Sequence, residues 1–505
     1  MTSLSSLIFQ FAIVGAALTA LTVFMKWHKN ILMTFLQHFV GVWFVFSGMV
    51  KAIDPIGTAY KMEDYFTAFE TTFEGLHNFM KGLAPLFPWL AGHSISFSIG
   101  MIILEIVLGV ALIIGWRNRL TAWLLFILMV VFTFLTGFTY LTGFVPTDAN
   151  FFDFAQWGPY VKEQMRVTDC GCFGDFIKLD PKISFFKDLG LLVPSVLFIV
   201  WAKKSHELWT IRIRNIIIGI STAVVLLLCI RNTYWDLPMV DFRPFKVGNN
   251  VREKRELESS AKVDILGWVL ENEKTGEKMK FIEPEPGKIT YYKQYTKDDG
   301  WKVKDQIKTD WYVEENGVRR NIQKTKVSEF AVESSENGEV TEDILNEEGY
   351  SMMIVAYHLD GSQQMETITV QDTTWAIDTI AVSKDSTRFE QRVVSVQPKQ
   401  VERQAFIPTP KYADFYTKGI NPLADEAQKA GWKVYAITTY GDSEFAGDFA
   451  QKVGATYPFY KADDKLLKTI IRANPGVVIW KNGQVVGMYH HKHIPSYDEI
   501  AKKFQ

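Results

Sequence analysis

The chain has 505 residues, a formal net charge of −2 and 48% apolar residues. That length points to several domains, and the near-neutral charge excludes the basic surface a nucleic-acid binder needs. No glycine-rich phosphate loop and no Cys/His spacing of a structural zinc site is present. The apolar residues are distributed unevenly: residues 1–235 are mostly apolar, and residues 236–505 are polar and charged.

Six runs in the first half are nearly free of charge: about 5–25, 31–52, 94–116, 120–143, 184–202 and 211–231. Each approaches the roughly 20 residues a helix needs to cross a bilayer, where a helix satisfies every backbone group internally. The first run lacks a basic start and is followed by Lys26, His28 and Lys29 rather than by a small-residue cleavage site, so it reads as a span. Lys26 and Lys29, then Arg117 and Arg119, then Lys203, Lys204, Arg212 and Arg214 fall in alternate loops. The positive-inside rule makes their shared face cytoplasmic. The expectation is a multi-pass protein of a Gram-negative inner membrane, with the bilayer as partner and with both termini and the polar half in the periplasm.

Span two carries His38 and Lys51, and span three carries Glu105 at its middle, in MIILEIVLGVALIIGW. A carboxylate at that depth is costly and faces a partner or a cavity. Counting about 1.5 Å per residue from the span ends puts His38 and Glu105 at similar depths, which leaves a Glu105–His38 contact open. The polar residues read either as a proton- or quinone-linked site or, more plainly, as structural contacts in the bundle. Between these spans Phe66, Phe69, Phe73, Leu76 and Met80 recur at helical spacing, as in a helix on the membrane surface or capping the bundle.

The loop 144–182 contains Asp169-Cys170-Gly171-Cys172-Phe173-Gly174-Asp175, which holds two of the three cysteines. On the periplasmic side disulfides form and persist. Cysteines separated by one glycine close only a small, strained ring, and strained disulfides are the more oxidising kind; Gly171 gives the backbone freedom it needs. Asp169 and Asp175 disfavour thiolates, and Lys178, Lys182 and Arg166 are placed to offset them. Three readings stay open: a redox pair, an inert pair in a tight turn, or two ligands of a soft metal such as Cu(I). Cys229, near the outer end of span six, reads as a small buried apolar residue, with a resolving-thiol role as the alternative.

Two stretches of the membrane half, FVGVWFVFSGMVKAIDPIGTAY and LEIVLGVALIIGWRNRLTAWLLFILMVVF, resemble the DoxX-like membrane family. DCGCFGD followed by KISFFKDLGLLV resembles its MauE branch, named for methylamine utilisation, and the continuation WDLPMVDFRPFKVGNNV is similar to that of DoxX/MauE-like proteins of Bacteroidota. The resemblance covers about 30–200. It implies a four-helix core with flanking helices and help to a periplasmic partner in acquiring disulfides. It carries over Cys170 and Cys172 as the redox pair, with Glu105 and Lys51 as family polar positions.

Beyond the last span, Pro238 and Pro244 argue for a non-helical connector over 236–260. Residues 261–326 alternate apolar and polar residues around Asp-Gly and Asn-Gly pairs, as in a small hairpin-rich module with Tyr291, Tyr292, Trp301, Trp311 and Tyr312 in its core. From 327 to 505 the elements alternate between strand and helix and end in an antiparallel hairpin. That order is similar to a thioredoxin-like domain, in which Pro475 matches the cis-proline position. The domain contains no cysteine, and where such a fold carries Cys-x-x-Cys an insertion of about 361–410 follows. Its role is then binding or docking. His490, His491 and His493 read as a solvated strand end rather than a metal site, with His491 and His493 sharing a strand face.

The fold expected is thus a transmembrane α-helical bundle plus an extracytoplasmic α/β domain with a β-rich insertion. The first functional reading is a redox protein supporting disulfide formation in a periplasmic client through Cys170 and Cys172, with thiol–disulfide oxidoreductase-type activity. No cofactor is evident; a quinone is the candidate electron acceptor. The alternative is a non-enzymatic anchor or scaffold subunit of an envelope complex. Six spans without broken helices or an internal repeat give little support to a transporter.

Overall fold

The computed structural model describes residues 4–76, 79–168, 170–282, 299–334, 337–383, 386–440 and 444–504. Asp169, Tyr291 and Tyr292 lie outside them. The chain forms two compact units: residues 1–246 with 254–328, and residues 247–253 with 329–505.

The first unit begins with eight helices: α1 Leu4–Phe24, α2 Ile31–Ile53, α3 Pro55–Glu74, α4 Leu86–Gly92, α5 Ser94–Ile114, α6 Asn118–Thr142, α7 Pro181–Val200 and α8 Ile211–Ile230, the last continuing as a π-helical turn to Trp235. All but α3 and α4 are long and apolar enough to cross a membrane, so this is a multi-pass membrane protein. The starts are set locally. The side chains of Asn30, Asp54 and Asp180 accept backbone N–H bonds at 2.9–3.0 Å, and Pro55 and Pro181 open α3 and α7.

Helices α2, α5, α6 and α7, with α1, enclose a core containing Trp43, Phe44, Leu108, Leu125, Met129 and Phe198. Helix α8 packs at its side, placing Val225 and Cys229 against Ala52, Ile102 and Ile106. Its Ile216, Ile220, Val224 and Leu227 point outward, as on a lipid-facing surface. Helices α2 and α5 approach each other closely. A Cβ on Gly109 would lie 2.8 Å from Gly41 O and Val45 N, so only a glycine permits this approach.

The three basic loops gather at one end of the bundle. Lys29 meets Glu207 at 2.8 Å, the Trp27 and Trp209 rings lie 5.8 Å apart, and Asn118 Nδ2 donates to His206 O. Arg212 and Arg214 lie inside α8 rather than in the loop, and Arg214 pairs with Glu207 at 2.9 Å and donates to Gly115 O. At the other end α3 packs Phe69 against Phe87 and Phe138. It stops at Glu74, so Leu76 falls outside it and Met80 lies in a short 3₁₀ turn.

The stretch expected to be non-helical contains α9, Val251–Ser259; the prolines precede it and leave 251–259 free to wind. Strands β1 Ile265–Asn272, β2 Lys278–Ile282 and β3 Trp301–Lys308 pair antiparallel in the order β2-β1-β3. Strands β4 Tyr312–Glu315 and β5 Val318–Asn321 form a hairpin whose Asn316 and Gly317 both have positive φ. Of the aromatics expected in this core, Tyr312 is buried, Trp301 is half-buried, and Trp311 is exposed beneath the Lys324 ammonium.

The second unit holds β6 Glu333–Ser334, β7 Gly338–Glu339, α10 Thr341–Leu345, β8 Tyr350–Ala356, β9 Gly361–Ser383, β10 Ser386–Pro408, α11 Pro410–Phe415, α12 Asn421–Lys429, β11 Lys433–Thr438, α13 Glu444–Val453, β12 Phe459–Lys461, α14 Asp464–Ile470, β13 Gly476–Lys481, β14 Gln484–His490 and α15 Tyr497–Phe504. Seven strands form one sheet in the order β14-β13-β8-β11-β12-β6-β7. Central β8 runs parallel to β11 and antiparallel to β13. Its near-continuous burial explains the unbroken apolar run SMMIVA. Strands β9 and β10 form a separate antiparallel ribbon between β8 and α11, with Met365, Trp375, Ile377 and Val394 exposed.

His490 departs from the solvated-end expectation, whereas His491 is half-buried and His493 exposed. His490 is buried, and β14 ends at it, so His491 and His493 do not share a strand face. His490 Nδ1 accepts from Lys492 N–H and the His491 ring donates to Pro475 O. Burial lowers His490 to about 3 and His491 to about 4, leaving both neutral.

Candidate functional site

The Cys170–Cys172 turn is built to sit against α2. Gly171 and Gly174 adopt left-handed backbone, and Gly174 N–H closes a turn onto Gly171 O at 3.2 Å. Phe173 is buried against Trp43 and Phe46 of α2 and acts as the plug that fixes the loop. The Ser47 hydroxyl, on the same helix, donates to Cys172 O at 3.0 Å. Both cysteines are half-buried, and the two are not joined in a disulfide.

Both line a cavity with about 730 Å³ of empty space, counted to its mouth. Its polar lining comes from α2, α3, α5, α6 and α7, with Thr58, Lys61 and Tyr65 contributed by α3. Lys51 meets Glu105 at 2.7 Å and contacts Ser47 at 3.4 Å. Lys187 pairs with Asp188, and Asp188 accepts from Thr136 at 3.0 Å. Trp43, Phe44, Met101, Met129 and Phe132 supply apolar walls. An unpaired charge at this depth is too costly to persist, and each of these four has an opposite charge beside it.

These helix cations, rather than loop residues, face the thiols. Arg166 is held by Thr72 and Ala149 O, Lys178 is 3.8 Å from Asp175, and the Lys182 backbone caps onto Asp180. Burial pushes the Cys172 thiol above its ordinary range; Lys187 and Lys51 pull it down, while Asp188 and Glu105 push it further up. In the reduced form Cys172 is therefore held as a thiol rather than a thiolate.

The structure does not make the Glu105–His38 contact. Gly41 lies opposite Ile113, and Gly48 opposite Ile106, so Glu105 is level with the outer part of α2 beside Lys51. The two helices are offset along their axes, so depth counted from their ends fails. His38 sits at the basic-loop end, its ring 4.6 Å from that of His206. Its Nδ1 meets Thr19 Oγ1 at 3.0 Å, while that hydroxyl donates to Gly15 O. Cys229 is fully buried in the α5–α8 contact and is absent from the cavity lining. In the second unit, Asn474–Pro475 is a cis peptide beside His358, to which Asn474 donates and from which it accepts. No group of three or more His, Cys, Asp or Glu suited to a metal ion occurs among the described residues.

Lys187 and Asp188 were not singled out from sequence. The signal was there: adjacent opposite charges inside the apolar span FFKDLGLLV.

Residues 29–147 match the family model of methylamine utilisation protein MauE. The match covers α2 to α6 and ends before Cys170, whereas the sequence resemblance had been drawn out to about residue 200. No curated protein and no solved structure matches the chain.

Proposed function

We propose that this MauE-type membrane protein is an inner-membrane thiol redox protein that supports disulfide formation in a periplasmic client. One observation carries the reading: Cys170 and Cys172 line the same cavity as two buried ion pairs. In the step itself, the closed Cys170–Cys172 bond accepts two electrons from a client dithiol. The client gains an S–S bond, and the pair leaves as two thiols after exchange of two protons. The grouping of basic loops supports the periplasmic placement of this turn.

The second unit is read as a thioredoxin-like docking domain. Support comes from the central β8, its parallel neighbour β11, the antiparallel β13–β14 pair and Pro475 just before β13. Residues 236–505 contain no cysteine, so this unit holds a client rather than exchanging disulfides with it.

Single Cys170→Ser and Cys172→Ser variants leave one thiol that can attack but not resolve. We expect at least one of them to accumulate a reductant-sensitive complex with a client on non-reducing gels, and the double variant to form none. Absence of such a complex from both single variants, with full activity of the double variant, overturns the proposal. The exposed apolar residues of the β9–β10 ribbon favour the scaffold reading as a second possibility. In that case envelope partners co-purify unchanged from the double variant.

A further inference from the structure

We propose that the cavity beneath the Cys170–Cys172 turn binds the ring of a lipid-soluble quinone, which accepts the electrons released when the pair closes. This rests on the redox reading above. A dithiol that oxidises clients must be reoxidised after each turnover. When it closes, two S–H bonds break, one S–S bond forms, and two electrons and two protons leave. A quinone takes up both electrons and both protons and becomes a hydroquinone, so the exchange balances without a further reactant.

The cavity has the chemistry such a ring requires. Its walls combine aromatic and thioether side chains with a few polar groups, the make-up of a site for a flat, largely apolar ring. Lys51 on α2 and Lys187 on α7 place two ammonium donors in the lining from different helices. An ammonium has three N–H donors, so one held by a carboxylate retains capacity for a ligand carbonyl. A quinone presents two carbonyl acceptors on opposite sides of a flat ring. Each lining cation has a carboxylate beside it, Lys51 with Glu105, Lys187 with Asp188 and Lys61 with Asp64 at 3.2 Å, which favours a neutral ligand over an ion. The sulfurs share this lining, which puts donor and acceptor in one enclosure. Glu105 and Asp188 are positioned to exchange protons with whatever the lysines hold.

The test uses full-length protein in nanodiscs, with the pair pre-reduced, under anaerobic conditions. Decylubiquinone and menadione are the electron acceptors, and an azido-quinone is the photolabel. The expected result is one quinone reduced for every two thiols lost at Cys170 and Cys172. The label should attach to peptides of α2, α3, α5, α6 or α7 and be displaced by excess decylubiquinone. Removing one ion-pair partner would strand its mate and destabilise the bundle, so the variant of choice is Met62→Trp. Met62 is half-buried in the cavity wall, and the indole fills the space with both ion pairs left intact. A tenfold or greater loss of quinone reduction with unchanged thermal stability supports the site. Quinone reduction that persists in Met62→Trp, or a label found only elsewhere, overturns it. Thiols that cycle in cells but never reduce quinone overturn the acceptor assignment and leave the client reading standing. A labelled cavity beside thiols that never change state overturns the electron step together with that reading.

Discussion

At Cys172 two opposing influences meet. Enclosure raises the thiol, whereas the Lys187 and Lys51 ammonium groups lower it, and enclosure dominates. Since the thiolate is the reactive form, iodoacetamide modification of a Cys170→Ser protein should still be accelerating at pH 9.0, the ordinary thiol value. The check is mass-spectrometric alkylation rate against pH; a midpoint below 9.0 contradicts this electrostatic picture. Such a thiol is a poor spontaneous nucleophile, which suits a pair whose working resting form is the closed one.

At the scale of elements, the offset between α2 and α5 decides which charges meet. Gly41 and Gly109 bring the helix backbones into contact and fix that offset. Gly109→Val would drive a side chain into Gly41 O and Val45 N and cost about 1–3 kcal/mol, as overpacking does. Gly100→Val, on the same helix, meets open space and should be near neutral. Thermal unfolding in detergent compares them; equal effects would show that the close approach is unimportant. This packing also explains what sequence could reveal. Span number and limits were legible from run length, because an apolar stretch reports the bilayer directly. Caps such as Asn30, Asp54 and Asp180 set the starts within a few residues of those limits. The partner of Glu105 was not legible. Helix offset depends on which small residues meet, and no count from helix ends contains that information. Lys51, named from the sequence as a cation of span two, proved to be that partner. His490 was misjudged for a related reason: local strand periodicity says nothing about the packing that buries it.

At the scale of the whole chain, a helical membrane unit and a sheet-centred unit share one polypeptide, and all three cysteines lie in the first. The family match accounts for α2 to α6, and the cysteine turn and α7 follow it in the chain. On the proposed reading, the paired thiols carry this chain's chemistry. The most direct test is isotope-coded alkylation of intact cells, comparing thiols at Cys170 and Cys172 before and after chemical reduction. The account predicts that the two cysteines change together, closed in most molecules during growth and opened jointly on reduction, with Cys229 unmodified throughout. Permanently reduced, independently reacting thiols at Cys170 and Cys172 would contradict it.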